Sequence, residues 1–229
     1  MELLITATKL NTQYAYGFLL EKADRLKSES YQTAISLYDE SITYFTRAEK
    51  YGLHALSIRH PDFPKWIKTK STQHILQTED VPIVYWTAAA IGGKISAGRA
   101  NPADLIQLPD IGWLLEHAIE ISPGWNYGAL SSAMFSYLMS RPDKNATTEK
   151  HALSYYEKAI IASNGLDCSL YVTYAEKISV LTQNRSEFIS LLNKVLSLQA
   201  NDNPELYFSN IIAQSRAEWL LTQTDELFY

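Results

Sequence analysis

In NPELYFSNIIAQSRAEWLL, residues 203–221, Asn210 and Gln214 stand four apart with Arg216 close by. Residues four apart share a helix face. Two primary amides would therefore point the same way, each carrying donors and an acceptor. Around them the segment is apolar on almost every side: Leu206, Tyr207, Phe208, Ile211, Ile212, Ala213, Ala217, Trp219, Leu220 and Leu221. A helix apolar all round is buried, and a buried amide without a partner costs about 1–3 kcal/mol. Two readings fit: amides satisfied across a helix–helix contact, or a polar spot on the wall of a binding channel. Asn203-Pro204 reads as the helix start, a capping side chain followed by a ring that fixes φ where no N–H is needed.

Other residue types offer less chemistry. The five histidines, His54, His60, His74, His117 and His151, form no pair at metal-ligand spacing, and no HExxH is present. Glu116 and His117 are adjacent and point to different helix faces. There is no G-x-S-x-G and no glycine-rich phosphate loop, since Gly92-Gly93 lies inside a helical pattern. Neither a catalytic residue, a metal nor a cofactor is implied. Asn145-Ala-Thr147 and Asn184-Arg-Ser186 match glycosylation acceptors only by chance.

Two aromatic segments are candidates for contact. In residues 81–99, Tyr85, Ala88, Ala89, Gly92 and Ser96 make a small-residue stripe headed by an aromatic ring. Two mid-helix glycines cost roughly 1 kcal/mol each against alanine. Close approach of another helix is one compensation; room for a pore or ligand beside Tyr85 and Trp86 is the other. Tyr171 and Tyr174, in YVTYAEK, are either core rings with wet hydroxyls or contact residues on a concave face.

These residues need long helices to position them. The 229 residues carry 15 Tyr, 5 Trp and 7 Phe but only 9 Gly and 8 Pro, so turns are few. Helical periodicity predicts elements at 3–27, 31–57, 64–78 (one or two short helices around Trp66 and Ile75), 81–98, 102–107 and 109–121. Further elements follow at 126–139, 146–163, 168–182, 186–200 and 204–225. No sustained alternation suggests a sheet. Net charge is −5 without a basic stripe, which speaks against a nucleic-acid partner. The lone Cys168 excludes an internal disulfide. The longest near-uncharged run, residues 81–93, is too short for the roughly 20 residues of a membrane span. Met1-Glu2-Leu3-Leu4 runs into a helix pattern with neither basic region nor cleavage site.

The later helices repeat. Residues 113–121, 155–162 and 191–198 can be laid over one another with Ala118, Ala159 and Val195 equivalent, and a turn follows each. This resembles the second helix of a tetratricopeptide (TPR) repeat, whose period is about 34. The expected fold is all-α, a helical-hairpin solenoid with cryptic TPR-like repeats and a concave binding face.

Four segments together resemble one family: residues 12–18 (TQYAYGF), 51–63 (YGLHALSIRHPDF), 81–90 (VPIVYWTAAA) and 210–221 (NIIAQSRAEWLL), the last preceded by YVTYAE at 171–176. Their order is similar to that of the T-component of TRAP-transporter-associated TPR proteins, over nearly the whole chain. The resemblance implies a bacterial periplasmic lipoprotein without catalytic activity, forming a homo-oligomer, a trimer, around a channel or crevice lined by hydrophobic groups. It implies as partner the soluble solute-binding protein of a TRAP transporter, whose ligand is a small organic or hydrophobic molecule. Family members begin with a lipoprotein signal and further helix, so residues 1–229 are expected to be a single TPR-like domain lacking both. A tryptophan expected after Ala90 is Ile91, and a basic residue expected before Trp219 is Glu218. The functional surface is expected at Tyr85, Trp86, Tyr171, Tyr174, Asn210, Gln214 and Trp219. Two alternatives differ in class: a general TPR scaffold clamping peptide termini with basic residues, and an α/α-barrel carbohydrate-active enzyme with two carboxylates about 5–10 Å apart.

Overall fold

The computed structural model describes residues 1–71, 76–99 and 101–228. Among these residues there is no strand, and the regular structure is helical, as the scarcity of glycine and proline predicts. They fall into two compact units, residues 1–123 and 124–229. No helix of the described residues is long and apolar enough to cross a membrane.

In the first unit, α1 (Glu2–Tyr14) passes through a π-helical turn, Ala15–Leu20, into α2 (Glu21–Leu26). The sequence predicts one unbroken helix here, and the wider turn is unforeseen. It buries Ala15, Gly17, Leu19 and Leu20 while leaving Tyr16 and Phe18 exposed. The long α3 (Tyr31–Arg59) buries Ala34, Tyr38, Ser41, Phe45, Ala48, Gly52 and Ala55. Those steps alternate between four and three residues, the spacing that keeps one seam against neighbouring helices. After α4 (Phe63–Thr69), a 3-10 turn at Thr78–Asp80 leads into α5 (Val81–Ala97). Of the predicted short helices in 64–78, the one around Trp66 is α4; Ile75, like His74, lies outside the described residues. The buried Asp80 carboxylate accepts the Gln77 N–H and bonds His60 Nε2, both at 2.8 Å, with Arg59 Nε 2.9 Å away.

The unit closes with α6 (Pro102–Leu105) and α7 (Leu108–Ile121). The two mid-helix glycines of α5 have different roles. A Cβ on Gly93 would sit 2.3 Å from the buried Phe45 ring, so glycine is what lets α5 close on α3. A Cβ on Gly92 would meet only Ile111, at 3.7 Å. Lys94 Nζ donates to Glu49 Oε2 and to Gln107 Oε1, and Gln107 Nε2 donates to Glu49 Oε1 at 2.7 Å. This triangle ties α3, α5 and the approach to α7 together.

The second unit pairs α8 (Trp125–Ser140) with α9 (Ala146–Ala162). The predicted 126–139 helix is right in extent but not in its first turn. Asn126, Tyr127 and Gly128 have positive φ there, and a Cβ on Gly128 would lie 2.8 Å from the Ala162 side chain. Next come α10 (Cys168–Tyr174), continued by a π-helical turn at Ala175–Ser179, and α11 (Arg185–Ser197). A 3-10 turn at Ala200–Asp202 precedes α12 (Tyr207–Thr222) and α13 (Thr224–Leu227). Side chains of Asn145, Asp167 and Asn184 accept backbone N–H groups at the starts of α9, α10 and α11. Two of these caps stand in the triplets that mimic glycosylation acceptors, and capping accounts for them.

Two expectations about α12 need correction. The helix begins at Tyr207, not at Asn203-Pro204. The Asn203 side chain accepts the Glu205 N–H at 3.0 Å and organises a separate turn, which hands the chain to the helix one turn later. Nor is α12 buried all round: Tyr207, Phe208 and Ile211 are 50%, 38% and 43% exposed. The three overlaid segments do each end a helix, α7, α9 and α11, and Ala118, Ala159 and Val195 are all fully buried.

Candidate functional site

One face of α12 is apolar below and polar above. Ala213, Ala217 and Leu220 enter the core with Phe188, Leu192 and Val195 of α11 and with Tyr171 and Val172 of α10. Asn210 begins that face and is 1% exposed. Its Oδ1 accepts the backbone N–H of Cys168 at 3.0 Å, and its Nδ2 donates to the Leu166 carbonyl at 2.9 Å. The amide thus closes both sides of the turn that enters α10. Its polar atoms are used on protein backbone, as a buried amide requires.

Gln214 does a similar task one turn further on. Nε2 donates to the carbonyls of Leu198 at 2.7 Å and Val195 at 3.2 Å. These belong to the end of α11, where helical carbonyls lack partners within the helix. The two amides therefore share a face, as their spacing predicts, but serve opposite ends of different helices. Gln214 differs in being only half-buried. With both N–H groups committed, its Oε1 is the atom left for the groove that it lines.

That groove lies between the end of α11, the connection at 198–201 and the outer side of α12. Its volume is about 540 Å³, and its walls include Leu196, Leu198, Asn201, Tyr207, Gln214 and Glu218. The size falls in the range of ligand and side-chain pockets. Exposed Leu196 and Tyr207 supply apolar and aromatic surface; Glu218 supplies a carboxylate. Tyr207 and Glu218 are not among the site residues expected from the sequence. A signal was present: Asn210, Gln214 and Glu218 recur at steps of four, one polar ladder along the helix.

The remaining candidates in this unit lie elsewhere. Trp219 is half-buried and packs on the core, with the Arg216 guanidinium 5.4 Å from its ring centre. Arg216 is itself held by Glu176 at 2.7 and 3.0 Å. Tyr171 is a core ring: its hydroxyl donates to the Gly165 carbonyl at 3.1 Å, and the Lys194 ammonium sits 4.2 Å from the ring centre. Tyr174 is half-buried and packs its ring 5.0 Å from that of Tyr156, which lies 5.3 Å from Phe135. Burial raises the pKa of both Tyr156 and Tyr174. The Cys168 thiol, fully buried, is pushed up to about 11 by desolvation, which keeps it an unreactive thiol.

Tyr85 and Trp86 belong to the first unit, on α5. Their rings meet edge to face at 4.9 Å, and Lys9 of α1 holds its ammonium 5.8 Å from the Trp86 ring. Both are half-buried against neighbouring helices. His117 bonds the Trp113 carbonyl through Nδ1 at 2.6 Å, and His60 bonds Asp80, so both histidines have structural partners.

Comparison with known proteins adds two findings. The chain matches the TAtT family model, TRAP transporter T-component, over residues 1–228. It is also 22% identical over 236 residues to an uncharacterised protein of Treponema pallidum (strain Nichols), an alignment that covers 99% of this chain and 72% of that protein.

Proposed function

The chain belongs to the TRAP transporter T-component family, and we propose that it acts there as a non-catalytic, TPR-like docking protein. It binds the solute-binding protein of the transporter in the periplasm, as a homo-oligomer, and holds or passes that protein's small-molecule ligand. The family match over residues 1–228 is the observation that carries this reading, because it spans both compact units.

Glu176 is occupied by Arg216, and Glu187 accepts the Ser179 hydroxyl at 2.7 Å, so these acids serve packing. The α11–α12 groove supplies what a protein contact uses: an aromatic and an aliphatic anchor beside a few polar groups. Of the surface expected from the sequence, Gln214 faces this groove, and Tyr85 and Trp86 offer a second, separate aromatic patch. Asn210 and Tyr171 support the fold behind the surface.

The experiment is affinity capture of a TRAP solute-binding protein from the same organism, using the purified chain as bait. Stoichiometric retention is the expected result, and passage of the receptor through the column unretained would remove the reading.

A further inference from the structure

We propose that the α11–α12 groove receives a basic segment of the partner protein, a loop presenting a lysine or arginine, and not an anionic solute. The proposal rests on the docking function argued above and adds which surface is used and what it recognises.

The groove's charge favours a cation. Its polar lining is Glu218, the primary amides of Gln199, Asn201 and Gln214, and the Tyr207 hydroxyl, with no lysine, arginine or histidine among the described lining residues. The connection leading to α12 adds two exposed acids, Asp202 and Glu205. The cations carried by α11 and α12 near this end are engaged elsewhere. Lys194 lies over the Tyr171 ring, and Arg216 is bound by Glu176. A carboxylate or phosphate entering here would meet like charge and no counter-charge, which disfavours it.

The acceptors suit a cation better. Glu218 offers a carboxylate, and Gln214 offers the one amide oxygen that its bonds to Val195 and Leu198 leave over. Tyr207 and Leu196 are exposed beside them, surface on which the aliphatic stem of a lysine or arginine can lie while its head reaches the acid. A Tyr ring can also take the cation on its face. A groove of about 540 Å³ exceeds one side chain and fits a short loop around it. Two amides fix the groove's shape before binding: buried Asn210 pins the start of α10 from behind it, and Gln214 in its wall pins the end of α11.

The test uses the whole chain, with Glu218→Gln, Glu218→Lys and Tyr207→Ala, each checked for an unchanged melting curve. Affinity for the solute-binding protein is measured by calorimetry at low and moderate salt. Wild type is expected to weaken as salt rises, Glu218→Gln to lose about fivefold and Glu218→Lys about thirtyfold or more. Tyr207→Ala should lose about tenfold. A lysine-to-glutamate change on the receptor that restores binding to Glu218→Lys would identify the paired residue. If wild type binds the receptor and Glu218→Lys binds equally well, the groove assignment falls while the docking function stands. If wild type does not bind the receptor, both fall. Glu218-dependent binding of spermine, with receptor affinity untouched by the variants, would make the groove a small-cation site and overturn the proposal.

Discussion

Asn210 Oδ1 accepts the backbone N–H of Cys168 at 3.0 Å across 42 positions of sequence. The same amide donates to Leu166, so one side chain of α12 holds the turn from which α10 starts. A residue that looks in sequence like a site residue is, in the structure, what keeps two helices in register.

Asn210→Leu should therefore be a stability variant. It strands the Cys168 N–H and the Leu166 carbonyl in a buried place, at about 1–3 kcal/mol for each. A loss of roughly 2–5 kcal/mol in urea denaturation is expected. A change below about 0.5 kcal/mol would mean that the turn does not depend on this amide.

The adjacent glycines of α5 should respond in opposite directions. Gly93→Ala forces a methyl group into the Phe45 ring and is expected to cost about 1–3 kcal/mol. Gly92→Ala meets Ile111 at ordinary contact distance and gains helix propensity, up to about 1 kcal/mol. Thermal unfolding of the two variants reads both signs in one experiment, and equal shifts would contradict the α3–α5 approach.

Asp167 predicts a pH dependence. Burial raises its carboxyl above the ordinary 3.8, against the opposing hydrogen bonds from Ser169. The folded state then holds the proton more tightly than the unfolded state. Its contribution to stability is complete below pH 3.8 and is lost as pH rises through the raised folded value. Asp167→Asn keeps an oxygen for the Ser169 N–H and removes the charge. It should match wild type near pH 4 and become the more stable of the two by about pH 7. A constant difference across that range would show that the carboxyl is not shifted.

Much of this architecture was legible because helix signals are local. Periodicity and spacing placed the ends of α3, α5, α7 and α9 within two residues, and the overlay of 113–121, 155–162 and 191–198 found three equivalent buried positions. The π-helical turns at Ala15–Leu20 and Ala175–Ser179 were not legible, since one extra residue per turn leaves composition unchanged. The start of α12 at Tyr207 differs from the expected Asn203-Pro204 because Asn-Pro marks a turn as readily as a helix. At the candidate site, spacing found the amide ladder but not its assignment. Whether Asn210 faces ligand or the α10 turn depends on a contact 42 positions away, which no window of sequence contains. Glu218 continued the ladder, and its charge only gains meaning once Leu196 and Tyr207 are seen beside it.

The most direct measurement is a calorimetric titration of this chain with a TRAP solute-binding protein from the same organism, run with wild type and with Glu218→Lys in parallel. Saturable binding by wild type, lost or strongly weakened in the variant at unchanged melting temperature, is the predicted result. An absence of heat and of complex formation with wild type would contradict the docking function itself.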